Sequence, residues 1–412
     1  MTVLDRPTLA AASRRGMTRR SDAGATAWAS VDWWLLLSTG ALCLLGVLLV
    51  WSATVHRDDL TGGVSSAYLV KQAVNVGIGA VLAGVVAATD HRWVRLWAPV
   101  VYVGSVFGLL AIFTPLGATV NGSHSWLLIG GMSVQPAELA KLGMIVGMAL
   151  VLAERLEVAR RTRPADVDML PVLGIAAVPA LLVLAQPDLG TLMVLAAIVF
   201  GVVALSGAPR RWLVGLVAAA VGIVALAIVS GLLASYQLDR FRAFTDPSLD
   251  PRGAGYNTIQ ARIAIGNGGL LGQGLFHGSQ TQSGFVPEQH TDFVFTVAGE
   301  ELGLVGAGVV IALFAVLLWR ALLIARRAPD VFGRLAAVGV ACWFGFQAFQ
   351  NIGMCLGIMP VTGVPLPLVS YGGTSMFASL MAVGLLLNVH LRAERSLGLG
   401  VVVRSRRTRS RW

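Results

Sequence analysis

From residue 32 almost to its end, the chain alternates long apolar stretches with short polar breaks. A membrane-spanning helix needs about 20 apolar residues. Ten windows of that kind occur, at roughly 32–53, 66–88, 93–114, 138–154, 168–186, 189–207, 211–234, 292–325, 333–357 and 370–391. The fifth and sixth are parted only by QPDLG. Every other connection is rich in arginine: Arg92 and Arg95, then Arg155, Arg160, Arg161 and Arg163, then Arg210 and Arg211, then Arg320, Arg326, Arg327 and Arg334. The positive-inside rule puts these connections and both termini in the cytoplasm, which an even number of spans satisfies.

The pattern therefore predicts an all-α, polytopic integral membrane protein of about ten transmembrane helices. A basic cytoplasmic tail (1–31) precedes a transmembrane domain (32–391), and a second basic tail (392–412) follows. Two outward connections are long, 115–137 and 235–291, the latter a large extracytoplasmic loop between the seventh and eighth spans. Long polar, glycine-bearing loops are where function concentrates.

Composition agrees with the pattern: 56% of the 412 residues are hydrophobic and 13% charged, and the mean hydropathy is +0.75. The net charge of +10 changes the picture only through its location. Residues 1–30 carry five Arg against two Asp and residues 391–412 seven Arg against one Glu, so the tails hold +9 of it. Basic tails beside spans face anionic membrane lipid and are not a nucleic-acid surface. Cys43, Cys342 and Cys355 fall in apolar runs without metal spacing and read as small buried hydrophobes. No internal repeat of the transporter kind is visible.

The polar residues inside this framework are the candidates for chemistry. The stretch FVPEQHTDFVFTVAGEELG (285–303) places Glu288, His290 and Asp292 where the eighth span begins. Thr291 or Asp292 serves as a helix cap, or Asp292 is a carboxylate at the mouth of a low-dielectric cavity with the raised pKa of a general base. Glu288 and His290 are placed to tune it, and H-T-D has no specific metal-ligand spacing. Glu300 and Glu301 do not stack with Asp292 along a helix and read as structural. Glu138 and Lys141, three apart in VQPAELAKLGM, share one face of the fourth span as a bundling ion pair or as a cavity wall for an anionic or sugar substrate. Asp188 in QPDLGT caps the sixth span or faces the outer side.

In the large loop, DPSLDPRGAGYN is a cluster of turn signals. YNTIQARIAI (256–265) predicts a short amphipathic helix on the membrane surface, with Ile259, Ile263 and Ala264 on one face and Arg262 on another. GNGGLLGQG follows as a hinge or a pyrophosphate cradle and is not a dinucleotide fingerprint. The last loop, GIMPVTGVPLPLVSYGGTSM, is irregular at membrane depth and has to be protein-buried or line a wet cavity.

Taken together, QPAELAKL, AQPDLGT, DPSLDPRGAGYNTIQARIAIGNGGLLGQGLFHGSQ, FVPEQHTDFVFTVAGEELGLVG and MPVTGVPLPLVSYGGTSM resemble the shape, elongation, division and sporulation family. These are multispanning peptidoglycan glycosyltransferases typified by RodA and FtsW. The resemblance covers about residues 32–392, and GAGYNTIQARIAIGNGGL with HGSQTQ looks more like the RodA elongation branch. Asn267 stands where serine is common in that branch and Gln273 where lysine is frequent, which leaves no loop lysine there for a phosphate.

The resemblance implies that Asp292 is the essential carboxylate and that Glu138 and Lys141 form the functional pair in a central cavity. It further implies that Asp188 lines that cavity, that Arg240 matches an arginine before the first Asp-Pro, and that Ser370, Gly372 and Gly373 match the last-loop motif. Its substrates would be lipid II and the nascent undecaprenyl-pyrophosphate-linked glycan. Its partner would be a class B penicillin-binding protein transpeptidase and its location the bacterial cytoplasmic membrane. Lys141, Arg240 or a bound Mg²⁺ or Mn²⁺ at a site not identified would meet the leaving pyrophosphate. The rival readings are a lipid II flippase, which needs charges continuing to the cytoplasmic side, a division-type polymerase, and a scaffold for the transpeptidase.

Overall fold

The computed structural model describes residues 31–120, 123–129, 132–229, 244–246, 250 and 253–409. The chain opens with α1 (Trp33–Thr54), the short α2 (Asp58–Thr61), α3 (Ala67–Ala88) and α4 (His91–Ala111). A three-stranded antiparallel sheet of β1 (Gly117–Val120), β2 (Ser123–Ile129) and β3 (Met132–Val134) then occupies the outer connection, with Leu127 facing Gly117 and Val134. Four apolar helices follow: α5 (Pro136–Val158), α6 (Asp166–Ala185), α7 (Leu189–Ser206) and α8 (Arg210–Val229). The described part of the large loop carries α9 (Ala254–Asn267) and α10 (Ser279–Ser283). The chain ends with α11 (Val294–Glu301), α12 (Gly303–Arg327), α13 (Val331–Leu356) and α14 (Gly373–Arg409).

Among the described residues nine of these helices are long and apolar enough to cross a membrane, namely α1, α3 to α7 and α12 to α14. At 20 residues, α8 takes the place of the seventh expected span. The frame of about ten helices expected from the apolar windows is thus present. Its centre is α5 and α13, which pack on each other and are buried along most of their length, whereas α3 and α4 lie at the rim with few buried positions. The last helix continues well past residue 391, through much of the stretch expected as a tail.

The arginine-rich ends gather on one side and are tied there by ion pairs. Arg320 forms a fork on Asp32, with its Nε donating to Oδ1 at 3.0 Å and its Nη2 to Oδ2 at 2.6 Å. Asp32 also accepts from the Leu35 N–H and so caps α1. Arg95 pairs with Glu157 and Arg211 with Asp166 at the same end. A planar guanidinium matches a carboxylate with two parallel bonds, which holds α1 to α12 more specifically than a point charge would.

The eighth expected span is not one helix. It breaks at Leu302, and Gly303 takes φ +68°, a left-handed conformation that costs glycine no Cβ clash. The break leaves backbone groups without helical partners. Residues 269–274 of the glycine-rich stretch complete them: Gln273 and Gly274 donate N–H to the Glu300 and Glu301 carbonyls, and Leu304 and Val305 donate to the Gly269 and Leu270 carbonyls. Gly268 approaches so closely that a Cβ would sit 1.9 Å from the Gly299 carbonyl oxygen. The stretch read as a hinge or a pyrophosphate cradle is therefore a docking clasp, and two of the N–H groups a cradle would offer are already used.

Candidate active site at the outer face

Asp292 precedes α11, and the cap position falls on Phe293, so the capping expected of Thr291 or Asp292 is displaced by one residue. Its surroundings are built by the last loop. Ser370 donates its hydroxyl to the Thr291 carbonyl and accepts from the Leu366 N–H at 2.8 Å. The Tyr371 N–H donates to the His290 carbonyl at 2.9 Å. Gly363 takes φ +70°, and a Cβ there would lie 3.3 Å from Asp292 Oδ2. A glycine at that point allows both the left-handed turn and the approach of bare backbone to the carboxylate.

The irregular last loop is tolerated at membrane depth because α13 satisfies its backbone. Gln347 donates to the Pro365 carbonyl at 2.8 Å, Gln350 to Thr362 Oγ1 at 2.9 Å, and Asn351 to the Val364 carbonyl at 2.8 Å. Asn351 also donates to the Asp292 carbonyl at 2.7 Å. All three amides are fully buried. Sequence reasoning passed over them, although polar groups three and four apart inside an apolar span are a signal that a helix face has polar work to do.

Glu138 and Lys141 lie under this loop and do not face an open cavity. The Lys141 ammonium donates to Glu138 Oε1 and to Gln347 Oε1, each at 2.7 Å, and lies 5.2 Å from the Trp343 ring. Both side chains of the pair are buried. Among the described residues the pair is packed as an ionic anchor and reaches the last loop through Gln347 and Pro365. Asp188 caps α7, accepting from Thr191 N–H at 2.9 Å and from its hydroxyl at 2.8 Å. That brings Gly190 against Thr362 and Val364 of the last loop. Gly372 accepts from the Met376 N–H, and Gly373 opens α14 beside Asn75.

His290 packs between Tyr68 and Tyr371, with ring centroids 5.2 and 5.8 Å away. Burial holds its imidazole below the ordinary histidine value, against the opposing pull of Glu288, while Arg57 adds to the depression. Glu288 takes φ +48° and accepts from the Thr291 hydroxyl at 3.1 Å. Lys71, at the outer end of α3, stands 5.0 Å from the Tyr68 ring. Arg240 lies outside the described residues, as does most of the expected turn cluster before α9.

Glu300 and Glu301 are absorbed by structure. Glu300 accepts from the Gln280 and Thr281 N–H groups at 2.7 and 3.0 Å, organising α10, and Glu301 accepts from the Ser52 hydroxyl at 2.6 Å. The amphipathic helix predicted at 256–265 exists as α9, with Ala264 on the inward face and not beside the isoleucines. Thr258, Ala261 and Ala264 are buried, while Ile259 and Ile263 are exposed. Arg262 turns to the end of α13, donating to the Leu356 and Gly357 carbonyls at 3.2 and 2.9 Å. Among the described residues no three His, Cys, Asp or Glu side chains gather as a metal site.

The family model of the FtsW, RodA and SpoVE cell cycle proteins matches residues 33–395. The peptidoglycan glycosyltransferase MrdB of Escherichia coli (strain K12) is 38% identical over 360 residues, covering 86% of this chain and 92% of that one. A probable peptidoglycan glycosyltransferase FtsW of Nitrosococcus halophilus is 40% identical over 387 residues, covering 93% and 97%. Among solved structures, a chain of a peptidoglycan synthase complex, determined for the structural coordination of polymerization and crosslinking, superposes with a TM-score of 0.72. It is 32% identical and covers 88% of this chain and 98% of that one. The motifs, the helical frame and matches running nearly end to end agree: the chain belongs to the FtsW/RodA/SpoVE family of multi-pass membrane peptidoglycan glycosyltransferases.

Proposed function

We propose that this glycosyltransferase polymerises lipid II into β-1,4 glycan at the outer face of the cytoplasmic membrane, with Asp292 as general base. The observation that carries the reading is the convergence of two elements, α13 and the last loop, on the segment that bears one carboxylate. Asn351 of α13 holds the Asp292 carbonyl, Ser370 holds the carbonyl before it, and Gly363 lays bare backbone beside Oδ2. A base fixed in this way is pre-positioned, which is where most of the benefit of general base catalysis lies.

Asp292 takes the proton of the 4-hydroxyl of the acceptor N-acetylglucosamine. The oxygen forms its bond to C1 of the donor N-acetylmuramic acid as the C1–oxygen bond to undecaprenyl pyrophosphate breaks. Going from an α-linked donor to a β-1,4 product inverts C1, so one base serves without a covalent sugar intermediate. Charge develops on the departing pyrophosphate and calls for a cation. Lys141 is enclosed by Glu138 and Gln347, which makes it a poor candidate. Lys71 has no carboxylate partner among the described residues and lies beside the Tyr68–His290 stack, which favours it for this role.

The elongation branch is the reading supported by GAGYNTIQARIAIGNGGL and HGSQTQ, which build α9, the clasp and α10. A class B transpeptidase partner is supported by the likeness to a chain from a synthase complex. The test is a glycan-ladder gel of the purified complex with lipid II, comparing the native chain with Asp292→Asn. A ladder from the native chain alone is expected. Equal ladders remove Asp292 from the chemistry, and an intact complex making no ladder returns the reading to transport or scaffolding. For the branch, depletion in the source cell is expected to give rounding, and filaments with undivided septa would reassign the protein to division.

A further inference from the structure

At the cytoplasmic end of the bundle the turn between α3 and α4 is fastened to the last helix. Asn388 of α14 donates its side-chain amide to the Val86 carbonyl at 3.1 Å and to the Thr89 carbonyl, and its Oδ1 lies 3.0 Å from His91 Nδ1. His91 Nε2 is 3.0 Å from Asp330 Oδ2, and Arg392 stands 3.8 Å from the same oxygen. These bonds leave a cavity of about 410 Å³ between the turn and α14, lined in part by Thr89, Asp90, Arg92, Leu391, Arg392 and Arg395. Asp90 is already engaged, accepting from the Arg92 backbone N–H at 3.0 Å. Among the described residues neither Arg92 nor Arg395 has a carboxylate partner. Two guanidinium groups without a carboxylate partner among the described residues, with Arg392 beside them pairing loosely with Asp330, surround one defined space and make a site for phosphate oxygens, which the arginine fork matches two at a time.

Thr89 also lines a second cavity, of about 510 Å³ and almost wholly apolar. It runs between α3, α4, α5 and α14 from Trp93 and Trp97 near the cytoplasmic side to Val134 in the outer sheet. A phosphate with a long hydrocarbon chain fits the two cavities together, whereas a soluble phosphate fits only the first. We propose that they hold a phospholipid of the cytoplasmic leaflet, its anionic headgroup on Arg92, Arg392 and Arg395 and an acyl chain in the apolar groove. The lipid then bridges the rim pair α3–α4 to α14, on the face of the membrane opposite Asp292 and independently of the reaction there.

The test is native mass spectrometry of the full-length protein in detergent, titrated separately with phosphatidylglycerol and phosphatidylcholine. Phosphatidylglycerol binds preferentially, and Arg92→Gln/Arg395→Gln weakens it about thirtyfold, since each arginine near an anionic headgroup contributes about fivefold. Among the described residues neither arginine supports the fold through an ion pair, and an unchanged thermal midpoint checks that this variant stays folded. Arg326→Gln/Arg327→Gln removes the same charge at the cytoplasmic end of α12, away from the cavity, and changes binding by less than about threefold. Equal losses in the two variants mean diffuse surface attraction and overturn the site. Equal binding of phosphatidylcholine overturns the anionic headgroup, and displacement of the lipid by millimolar inorganic phosphate overturns the lipid in favour of a soluble anion.

Discussion

Ser370 and Thr291 meet through a single hydrogen bond, from the hydroxyl of the last loop to the carbonyl just before Asp292. The same hydroxyl accepts from Leu366, so one small side chain fixes both the loop and the segment that carries the carboxylate. Two backbone groups depend on it, the Leu366 N–H buried and the Thr291 carbonyl half-buried, and stranding a buried group costs about 1–3 kcal/mol.

Ser370→Ala is therefore expected to slow glycan polymerisation about tenfold or more with lipid II binding little changed. Ser370→Thr, which keeps the hydroxyl, should recover most of the rate. Single-turnover polymerisation assays on both variants check this, and equal rates for Ala and Thr would discount the hydrogen bond.

Gly363→Ala should be more damaging than its size suggests. The left-handed φ of +70° costs an L-residue about 1–2 kcal/mol, and the new methyl arrives 3.3 Å from Asp292 Oδ2. Polymerisation falls about ten- to a hundredfold. The comparison is Gly372→Ala, where the added Cβ meets only Ser375 Cβ at 3.6 Å, an ordinary contact; similar losses at both positions would point to general loop damage.

Lys141→Met strands the Glu138 carboxylate in the packed interior, and breaking a buried pair in this way costs about 3–5 kcal/mol. A lower thermal midpoint in detergent is the expected result. Glu138→Gln/Lys141→Met, which removes both charges, should regain a large part of the loss. If the single variant unfolds at the native temperature while activity disappears, the pair is catalytic and not an anchor.

His290 gives stability a pH dependence of known sign. Burial lowers its folded-state pKa below the ordinary 6.5, so the unfolded chain binds the proton more readily. Its contribution is fully present above about pH 6.5 and is lost as pH falls from there through the depressed folded value. Glu288, Asp59 and Arg57 act on the ring by charge, with Tyr68 and Tyr371 packed against it. His290→Gln should flatten the fall in thermal midpoint below about pH 6.5, and an unchanged slope would assign it to another group.

The frame was legible in the sequence because membrane burial writes itself as length: nine described helices and α8 follow the apolar windows closely, and the alternating arginines name the side. The position of Asp292 just before a helix was legible too, since an apolar stretch begins there. What stayed hidden depends on partners distant in sequence. Gln347, Gln350 and Asn351 mark a polar face on their span, but the groups they serve are set only when the last loop folds over them. Glu138 and Lys141 share a helix face in either reading, and only the neighbouring Gln347 and Trp343 decide that the face is packed. Ile259 and Ile263 were legible as the apolar face of a surface helix, but not that the opposite face, with Ala261 and Ala264, packs closely on α11.

The break at Leu302 gives the outer loop an unusual constraint. Residues 269–274 complete the end of α11 and the start of α12 simultaneously, so neither half of the break is finished without them. Loop and helix should exchange amide protons as one cooperative unit, the N–H groups of Gln273, Gly274, Leu304 and Val305 opening in step. Surface loops ordinarily absorb insertions at small entropic cost. This one has a set length as a helix has a set pitch: a residue added between Gly269 and Gly274 throws both ends of the break out of register together.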